Sequence, residues 1–418
     1  LTKIHVFMYL KDIIRGDKDM KYEKELEALK RLYEAGAFKP DFYNKKIPSI
    51  KSFDNYEEFI KIPFTFKKEL RDTSVEERST TTPKNIYGVF SSSGTTGQKT
   101  FYIYNKEDKK VHEKFVRSFF EELGVEASDI GGIMAPVDTG VMAHTMMWQF
   151  TTMGAGYVNC PIPSPENIVD TISKVPVTIV ATRPSIATNI VYNPVIKKMA
   201  HESKVNKLLM GGGFLSSERR KILEDAWGAE CYNMFGMSEM FGPMAGECKQ
   251  KNGLHYLDKY LMIEIIEPKT HMPVSDGKIG VAVYTTLWDK GFPLLRYWTD
   301  DLMYITHEKC ECGRDLPRLF YLGRLNDSFE IGNSYVFPEN VENILFKYGN
   351  IGEYIVEKES NRYLVKTESS VPNVNAEMVK ELEKLFSSEV KVEIVTPGCL
   401  NYDGHGKRFF ETEAEWRQ

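Results

Sequence analysis

The sequence predicts an α/β protein: a large N-terminal α/β domain carrying a β-rich subdomain, followed by a small α+β C-terminal domain. Three observations predict it. Short apolar runs alternate with amphipathic helical stretches up to about residue 230, the pattern of a mostly parallel sheet. From Leu254 to Thr306 strands follow one another with only turns between them. Past Gly323 two helical segments lie among three short strands. The expected boundaries are 1–325 for the large domain, with the β-rich part at about 250–325, and 326–418 for the small one.

The elements are justified in order. Lys21 to Gly36 places Leu26, Leu29, Leu32 and Tyr33 at helical spacing and ends in glycine, a helix stop signal. Val111 to Leu123 reads as a second amphipathic helix. Ile133–Pro136, Gly156–Asn159 and Val177–Ala181 read as buried strands, and Asn167–Lys174 and Ser217–Trp227 as helices between them. Leu261–Ile266, Gly280–Thr286 and Leu294–Trp298 read as strands of the β-rich part. In the last ninety residues, Tyr354–Glu357, Arg362–Lys366 and Val390–Val395 read as strands, and Pro338–Tyr348 and Asn375–Phe386 as helices.

Composition narrows the function classes. The 418 residues are 42% hydrophobic, 12% aromatic and 27% charged, which excludes a disordered or fibrous chain. Lys+Arg number 54 against 59 Asp+Glu, a formal charge of -5, so no broad basic field exists to hold nucleic acid. No apolar run reaches the roughly 18–20 residues of a membrane span. The best, Ile130 to Phe150, is interrupted by Gly131, Gly132, Pro136, Asp138 and His144. Leu1 to Val6 lacks a signal-peptide layout. Six cysteines without regular spacing indicate a reducing compartment, hence the cytoplasm.

Five short motifs carry chemistry. Ser91-Ser-Ser-Gly-Thr-Thr-Gly-Gln-Lys-Thr100 follows an apolar segment. Its glycines let backbone N–H groups point into one concavity, and its hydroxyls add donors, as a polyphosphate requires. It is not a Walker loop, and by itself it also reads as a polar turn. In Tyr232-Asn-Met-Phe-Gly-Met-Ser-Glu239, Phe235 offers a flat face to a purine, Gly236 permits close backbone approach, and Glu239 is a hard oxygen ligand suited to Mg²⁺. Its bland reading is a Met-rich core loop. Arg296-Tyr-Trp-Thr-Asp-Asp301 offers a carboxylate to ribose hydroxyls or is a solvated strand end. Gly323-Arg324 and Gly404-His-Gly-Lys407 complete the set, the lysine able to neutralise developing negative charge.

In this order the five motifs resemble the adenylate-forming superfamily of acyl-CoA synthetases and adenylation domains. Ile62-Pro-Phe-Thr-Phe-Lys-Lys-Glu-Leu70, Gly246-Glu-Cys248, Gly253-Leu-His255, Cys310-x-Cys-Gly-Arg314 and Val336-Phe-Pro338 resemble its phenylacetate–CoA ligase branch. The resemblance runs from about residue 50 to 410. It implies that a carboxylate attacks the α-phosphate of ATP, pyrophosphate leaves, and a thiol takes the acyl group from the acyl-adenylate. The acid expected from the branch is a small aryl or arylacetic acid, and the thiol that of CoA or a carrier protein.

The resemblance also implies roles. Ser92, Ser93, Gly94, Thr95, Thr96 and Gly97 would cradle the β- and γ-phosphates. Gly211, Gly212 and Gly213 would pass beside adenine, with Phe235 and Gly236 on its other side. Glu239 would hold Mg²⁺, Asp301 the ribose, and Arg324 ribose or phosphate. Lys407 would contact carboxylate and α-phosphate. His144 would face the acyl substrate, in a pocket drawn from Ala135–Met147, Val180–Ser185 and Gly211–Phe214. The small domain would be mobile, rotating about 325–327.

Three departures from the branch bear on the acceptor and the pocket. Asn326 stands at the hinge acid, Gly332-Asn-Ser-Tyr335 replaces Arg-Gly-Val-Asn, and Phe214 follows the adenine-side glycines. The first two favour an alternative in which the acyl group passes to a carrier protein, a protein cysteine or an amine. A nucleotide-binding regulator without catalysis would have lost Glu239 or Lys407, and both are present. Separately, Cys248, His255, Cys310 and Cys312 form a Cys₃His set suited to a structural Zn²⁺, although C-x-C is tighter than common zinc spacing and free thiols in turns are the bland reading. A homodimer is the base-rate expectation for oligomeric state.

Overall fold

The computed structural model describes residues 22–92, 99–135, 141–160, 165–191, 194–332, 334–349, 352–369, 373–397, 399–400 and 408–410. Helix α1 (Glu23–Ala35) ends on Gly36 in the left-handed region, as the terminal glycine predicts. Helix α2 (Lys67–Asp72) leads to a two-stranded hairpin of β1 (Ile86–Ser91) and β2 (Phe101–Asn105). Helix α3 (Lys106–Glu122) starts five residues before the expected Val111. Its first turn is charged and shows no apolar period. Its start is set instead by a capping box, in which Asn105 accepts from the Glu107 and Asp108 N–H groups and Asp108 from that of Asn105.

The alternation then builds a parallel sheet. Strands β3 (Ile130–Met134), β4 (Gly156–Asn159), β5 (Ile179–Thr182), β6 (Lys207–Met210) and β7 (Glu230–Met237) are separated by helices α4 (Val141–Thr152), α5 (Pro165–Lys174), α6 (Pro184–Val191), α7 (Pro194–His201) and α8 (Ser217–Trp227). Successive strand residues bury opposite faces. Val180, Leu208 and Met210 pack with α5 to α8, while Ile179, Ala181 and Leu209 pack with α3 and α4. The sheet is thus buried on both sides, as parallel sheets require.

The β-rich segment continues this sheet. The first half of β7 pairs in parallel with β6, and its second half pairs antiparallel with β8 (Gly242–Glu247), from Met234 onward. Strands β9 (Leu254–Tyr256), β10 (Leu261–Ile266), β11 (Gly280–Thr286), β12 (Tyr297–Thr306) and β13 (Arg318–Arg324) extend it to eleven strands, in the order β10-β11-β12-β13-β9-β8-β7-β6-β5-β3-β4. The antiparallel region therefore begins before residue 250. Gly236 permits the turnover, because a Cβ there would stand 2.1 Å from the Gly242 carbonyl oxygen. Of the expected strand Leu294–Trp298, only Tyr297 and Trp298 are in a strand, as the start of β12, which runs on to Thr306.

A hairpin of β14 (Phe329–Ile331) and β15 (Ser334–Val336) leads into the C-terminal module. There β16 (Tyr354–Lys358), β17 (Arg362–Glu368), β18 (Glu389–Val395) and β19 (Phe409–Phe410) form a separate sheet, in the order β18-β17-β16-β19. Helices α9 (Pro338–Lys347) and α10 (Ala376–Phe386) cover it around a core of Val341, Leu345, Tyr354, Val365 and Leu382. Among the described residues, no helix is long and apolar enough to cross a membrane.

Candidate active site

A cleft of about 320 Å³ opens where the parallel strands end and the C-terminal module begins. Its position follows the general rule for open α/β sheets, whose ligands sit beyond the carboxyl ends of the strands. Gly211, Gly212 and Gly213 form one wall directly after β6. The strip is tight, and Gly212, at φ +69°, leaves a Cβ position only 3.1 Å from the Met142 sulfur. The rings of Phe235 and Tyr321, which also line the cleft, lie 5.0 Å apart between centroids. Tyr321 carries no motif signal and went unread in the sequence.

Asp301 reaches the cleft through an irregularity. Between the Val281–Leu302 and Val283–Trp298 pairs, Thr299, Asp300 and Asp301 oppose the single residue Ala282. Asp300 takes φ +62°, and the Thr299 hydroxyl donates to the Ala282 carbonyl. Such a bulge re-aims a side chain. Asp301 then lies across the strand pair from Arg324, with Oδ1 and Nε 3.4 Å apart. Burial pushes the Asp301 carboxyl up to about 6, and the Arg324 charge acts against that rise. Asp301 in turn raises Arg324.

Glu239 sits in the single turn Ser238–Met240 between β7 and β8. Its Oε1 accepts from the hydroxyls of Tyr102, 2.9 Å, and Tyr297, 3.0 Å, and lies 3.6 Å from Lys67 Nζ. Burial alone would raise this carboxyl. Lys67, a backbone N–H and the two tyrosines outweigh burial, and the group lies below the usual range. It is an ionised carboxylate on the cleft wall, a donor suited to a hard divalent cation. Lys67 belongs to the Ile62–Leu70 stretch, where only the resemblance drew attention to it.

Ser92 also lines the cleft. Its N–H donates to the Thr100 carbonyl and its hydroxyl accepts from the Thr100 N–H, closing the neck of the glycine-rich loop. Ser93, Gly94, Thr95, Thr96, Gly97 and Lys407 lie outside the described residues. Arg408, next to Lys407, lines the cleft together with Asp327 and Pro338. Asp327 Oδ1 accepts from the Arg408 and Phe409 N–H groups.

One expected site residue lies elsewhere. His144 is not among the residues lining the cleft. Its ring lies 4.9 Å from that of Phe90, with Nε2 3.4 Å from the Tyr87 hydroxyl, and burial lowers its pKa. Rotation about the axis of helix α4 separates the two faces: Val141, Met142, Thr145 and Met146 line the cleft, and His144 points to the β1 hairpin. The Val180–Ser185 segment also stays out of the lining, where Arg183 packs behind Gly212.

A second cluster lies in the turns at the other end of β12 and β13. One ligand atom from each of Cys248, His255, Cys310 and Cys312 falls within 4.8 Å of all the others. The Cys248 and Cys310 sulfurs are 3.8 Å apart, and the Cys312 sulfur is 3.4 Å from His255 Nε2. These are the edges of a tetrahedron with metal–sulfur bonds of about 2.3 Å and metal–nitrogen bonds of about 2.0 Å. His255 Nδ1 lies 3.2 Å from the Leu316 carbonyl, the second contact that turns Nε2 toward a metal.

Known proteins match this architecture. The chain belongs to the AMP-binding enzyme family, whose model matches residues 25–284. It is 27% identical over 389 residues to the phenylacetate-coenzyme A ligase of Thermus thermophilus, covering 90% of this chain and 85% of that one. The crystal structure of 2-hydroxyisobutyryl-CoA ligase in the postadenylation state with 2-HIB-AMP overlays at a TM-score of 0.81, with 19% identity, over 94% of this chain and 90% of that one. The same ligase in its thioesterification state, with 2-HIB-AMP and CoA, overlays at 0.67, with 19% identity, over 97% and 92%.

Proposed function

We propose that the protein activates a small aryl or arylacetic acid with ATP to an acyl-adenylate and passes the acyl group to the thiol of CoA. The observation that carries this is the convergence on one cleft of a glycine strip, an aromatic face, the Asp301–Arg324 pair and the ionised Glu239. An AMP-forming acid–thiol ligase needs a planar base slot, a ribose acceptor, a cation site and an apolar acyl pocket, and nothing covalent from the protein. CoA as acceptor and the aryl character of the acid come from the ligases that the chain is similar to. The departures at Asn326 and Gly332–Tyr335 keep a carrier protein, a protein cysteine or an amine as the alternative acceptor.

In this reading Gly211–Gly213 and the Phe235 ring clasp adenine, and Gly236 lets β8 cross beneath it. Asp301 accepts the ribose hydroxyls while Arg324 holds the carboxylate in place and reaches ribose or phosphate. Ser92 to Gly97 cradle the outer phosphates. Mg²⁺, held by Glu239, supplies charge neutralisation at the phosphates when bound. Lys407 orients the acid carboxylate against the α-phosphate. The acid itself lies among Met142, Thr145, Met146, Phe214 and Pro243, an apolar and adaptable lining. Cys248, His255, Cys310 and Cys312 hold a structural Zn²⁺. The protein works in the cytoplasm, as a homodimer by base rate, without nucleic acid or membrane as partner.

The decisive variant is Lys407→Ala. Adenylation, read as ATP–pyrophosphate exchange, falls by about two orders of magnitude or more while ATP binding persists. Unchanged exchange would remove that lysine from the reaction.

A further inference from the structure

A polar contact outside the cleft joins the two parts of the molecule. Helix α8 covers the large sheet, and helix α9 belongs to the core of the C-terminal module. Between them Arg219 and Glu342 form a bidentate ion pair, with Nε–Oε2 at 3.1 Å and Nη2–Oε1 at 2.8 Å. The side chains are 1% and 0% exposed. The guanidinium also faces the Phe346 ring at 4.8 Å. Beside the pair, Asn343 Oδ1 accepts from the Ser217 hydroxyl and the Glu218 N–H, so the module caps the N-terminus of α8.

A desolvated two-pronged pair is a poor general adhesive, because dehydration of the charges offsets most of their attraction. It is strongly selective for one geometry, since any tilt leaves a charge buried without its partner. Full separation is different, because both charges regain water together. Such a contact therefore favours two states, docked in one pose or apart, over the poses between.

The docked pose has a consequence at the cleft. Pro338, which opens α9, and Arg408 both line it, and Asp327 clasps the backbone of Arg408 and Phe409. Seating α9 on α8 thus accompanies the placement of Pro338 and Arg408 at the cleft. The overlay is better with the ligase held after adenylation, 0.81, than with the same ligase in thioesterification, 0.67.

We infer that Arg219 and Glu342 are positioning residues for adenylation: their pair latches the C-terminal module over the cleft and parts before the acyl group reaches the thiol. The inference rests on the proposed two-step reaction, so the half-reactions are read separately. ATP–pyrophosphate exchange reports the first, and acyl transfer to CoA from supplied acyl-adenylate reports the second. Exchange by the unaltered protein is the control on the reaction itself, and its absence would overturn that reading rather than the latch.

Glu342→Gln should lower exchange by about tenfold or more and change transfer by less than about threefold. A parallel fall in both, or no fall in exchange, would make the pair merely structural and overturn the latch. Ser217→Cys/Asn343→Cys tests the same interface from its rim without burying a lone charge. Once oxidised to a disulfide, it should keep exchange and lose transfer by about tenfold or more, with recovery on reduction. Equal transfer by the oxidised and reduced forms would show that α8 and α9 never separate, and would overturn the inference.

Discussion

Asp301 concentrates the chemistry of the cleft in one titratable group. Burial pushes its carboxyl up to about 6, so the ionised form that accepts ribose hydroxyls is lost just below neutrality. Affinity for adenosine, whose ribose carries no titrating phosphate, should fall about tenfold between pH 7.5 and pH 5, following the ionised fraction. Asp301→Asn should flatten that profile, and a profile equally steep in the variant would place the titration elsewhere. In the empty protein the sign reverses. A carboxyl raised on folding stabilises fully below its unfolded value, and that contribution disappears as pH rises through 6. Asp301→Asn should therefore melt no lower than the unaltered protein at pH 7.5, the mark of a residue placed for binding rather than stability. The sequence marked Asp301, Arg324, Phe235 and Glu239 because their types and spacing are chemical. It was silent on Tyr102 and Tyr297, which hold Glu239 from distant strands, because a hydroxyl partner 137 or 58 residues away leaves no local trace.

At the scale of elements, period and punctuation read well where one physical cause dominates. Helix α8 runs from Ser217 to Trp227, as expected, because Ser216 caps one end and Gly228, in the left-handed region, closes the other. Strands β10 and β11 are continuous buried runs and match their expected spans. Asp300 and Asp301 break the apolar pattern of β12, so the sequence predicts an end at Trp298 where the strand runs on to Thr306. Those acids sit in the bulge that serves the cleft, so the local rule fails at the functional residue. His144 failed for a related reason: residue type suggests a role, but only the rotation of helix α4 says which way the ring points. The Cys₃His cluster lies at the far end of β12 and β13, the strands that carry Asp301 and Arg324, where a bound zinc ion would pin the turns. The purified protein should contain about one zinc per chain, and its removal by a chelator should lower the melting temperature by about 5 °C or more. Cys312→Ser should lower zinc content. Full thermal stability without any bound metal would leave the four residues as a thiol cluster.

Across the whole molecule, eleven strands form one sheet whose parallel half is covered on both faces and whose antiparallel half brings Asp301, Tyr321 and Arg324 to the cleft. The sequence distinguished the two halves by texture, but not their junction. That junction is a single strand, β7, which changes partners at Met234. Pairing of this kind depends on a backbone crossing at Gly236 and Gly242, and a glycine in a motif reads equally well as a ligand contact. The strands and helices of the C-terminal module were legible, and its strands form a sheet of their own. Its docking through Arg219 and Glu342 was not legible, because two charges 123 residues apart on helices look like solvated faces until their burial is known.

The proposed function requires that one cleft make an acyl-adenylate that a thiol then consumes. The most direct measurement is ATP–pyrophosphate exchange across aryl, arylacetic, fatty and amino acids, each with and without CoA. Exchange with the small aryl or arylacetic class and CoA-dependent release of AMP are expected. Exchange that is indifferent to CoA would preserve the adenylation and transfer the acceptor role to a carrier protein or an amine. Absence of exchange with every acid would rule out acid activation at this cleft.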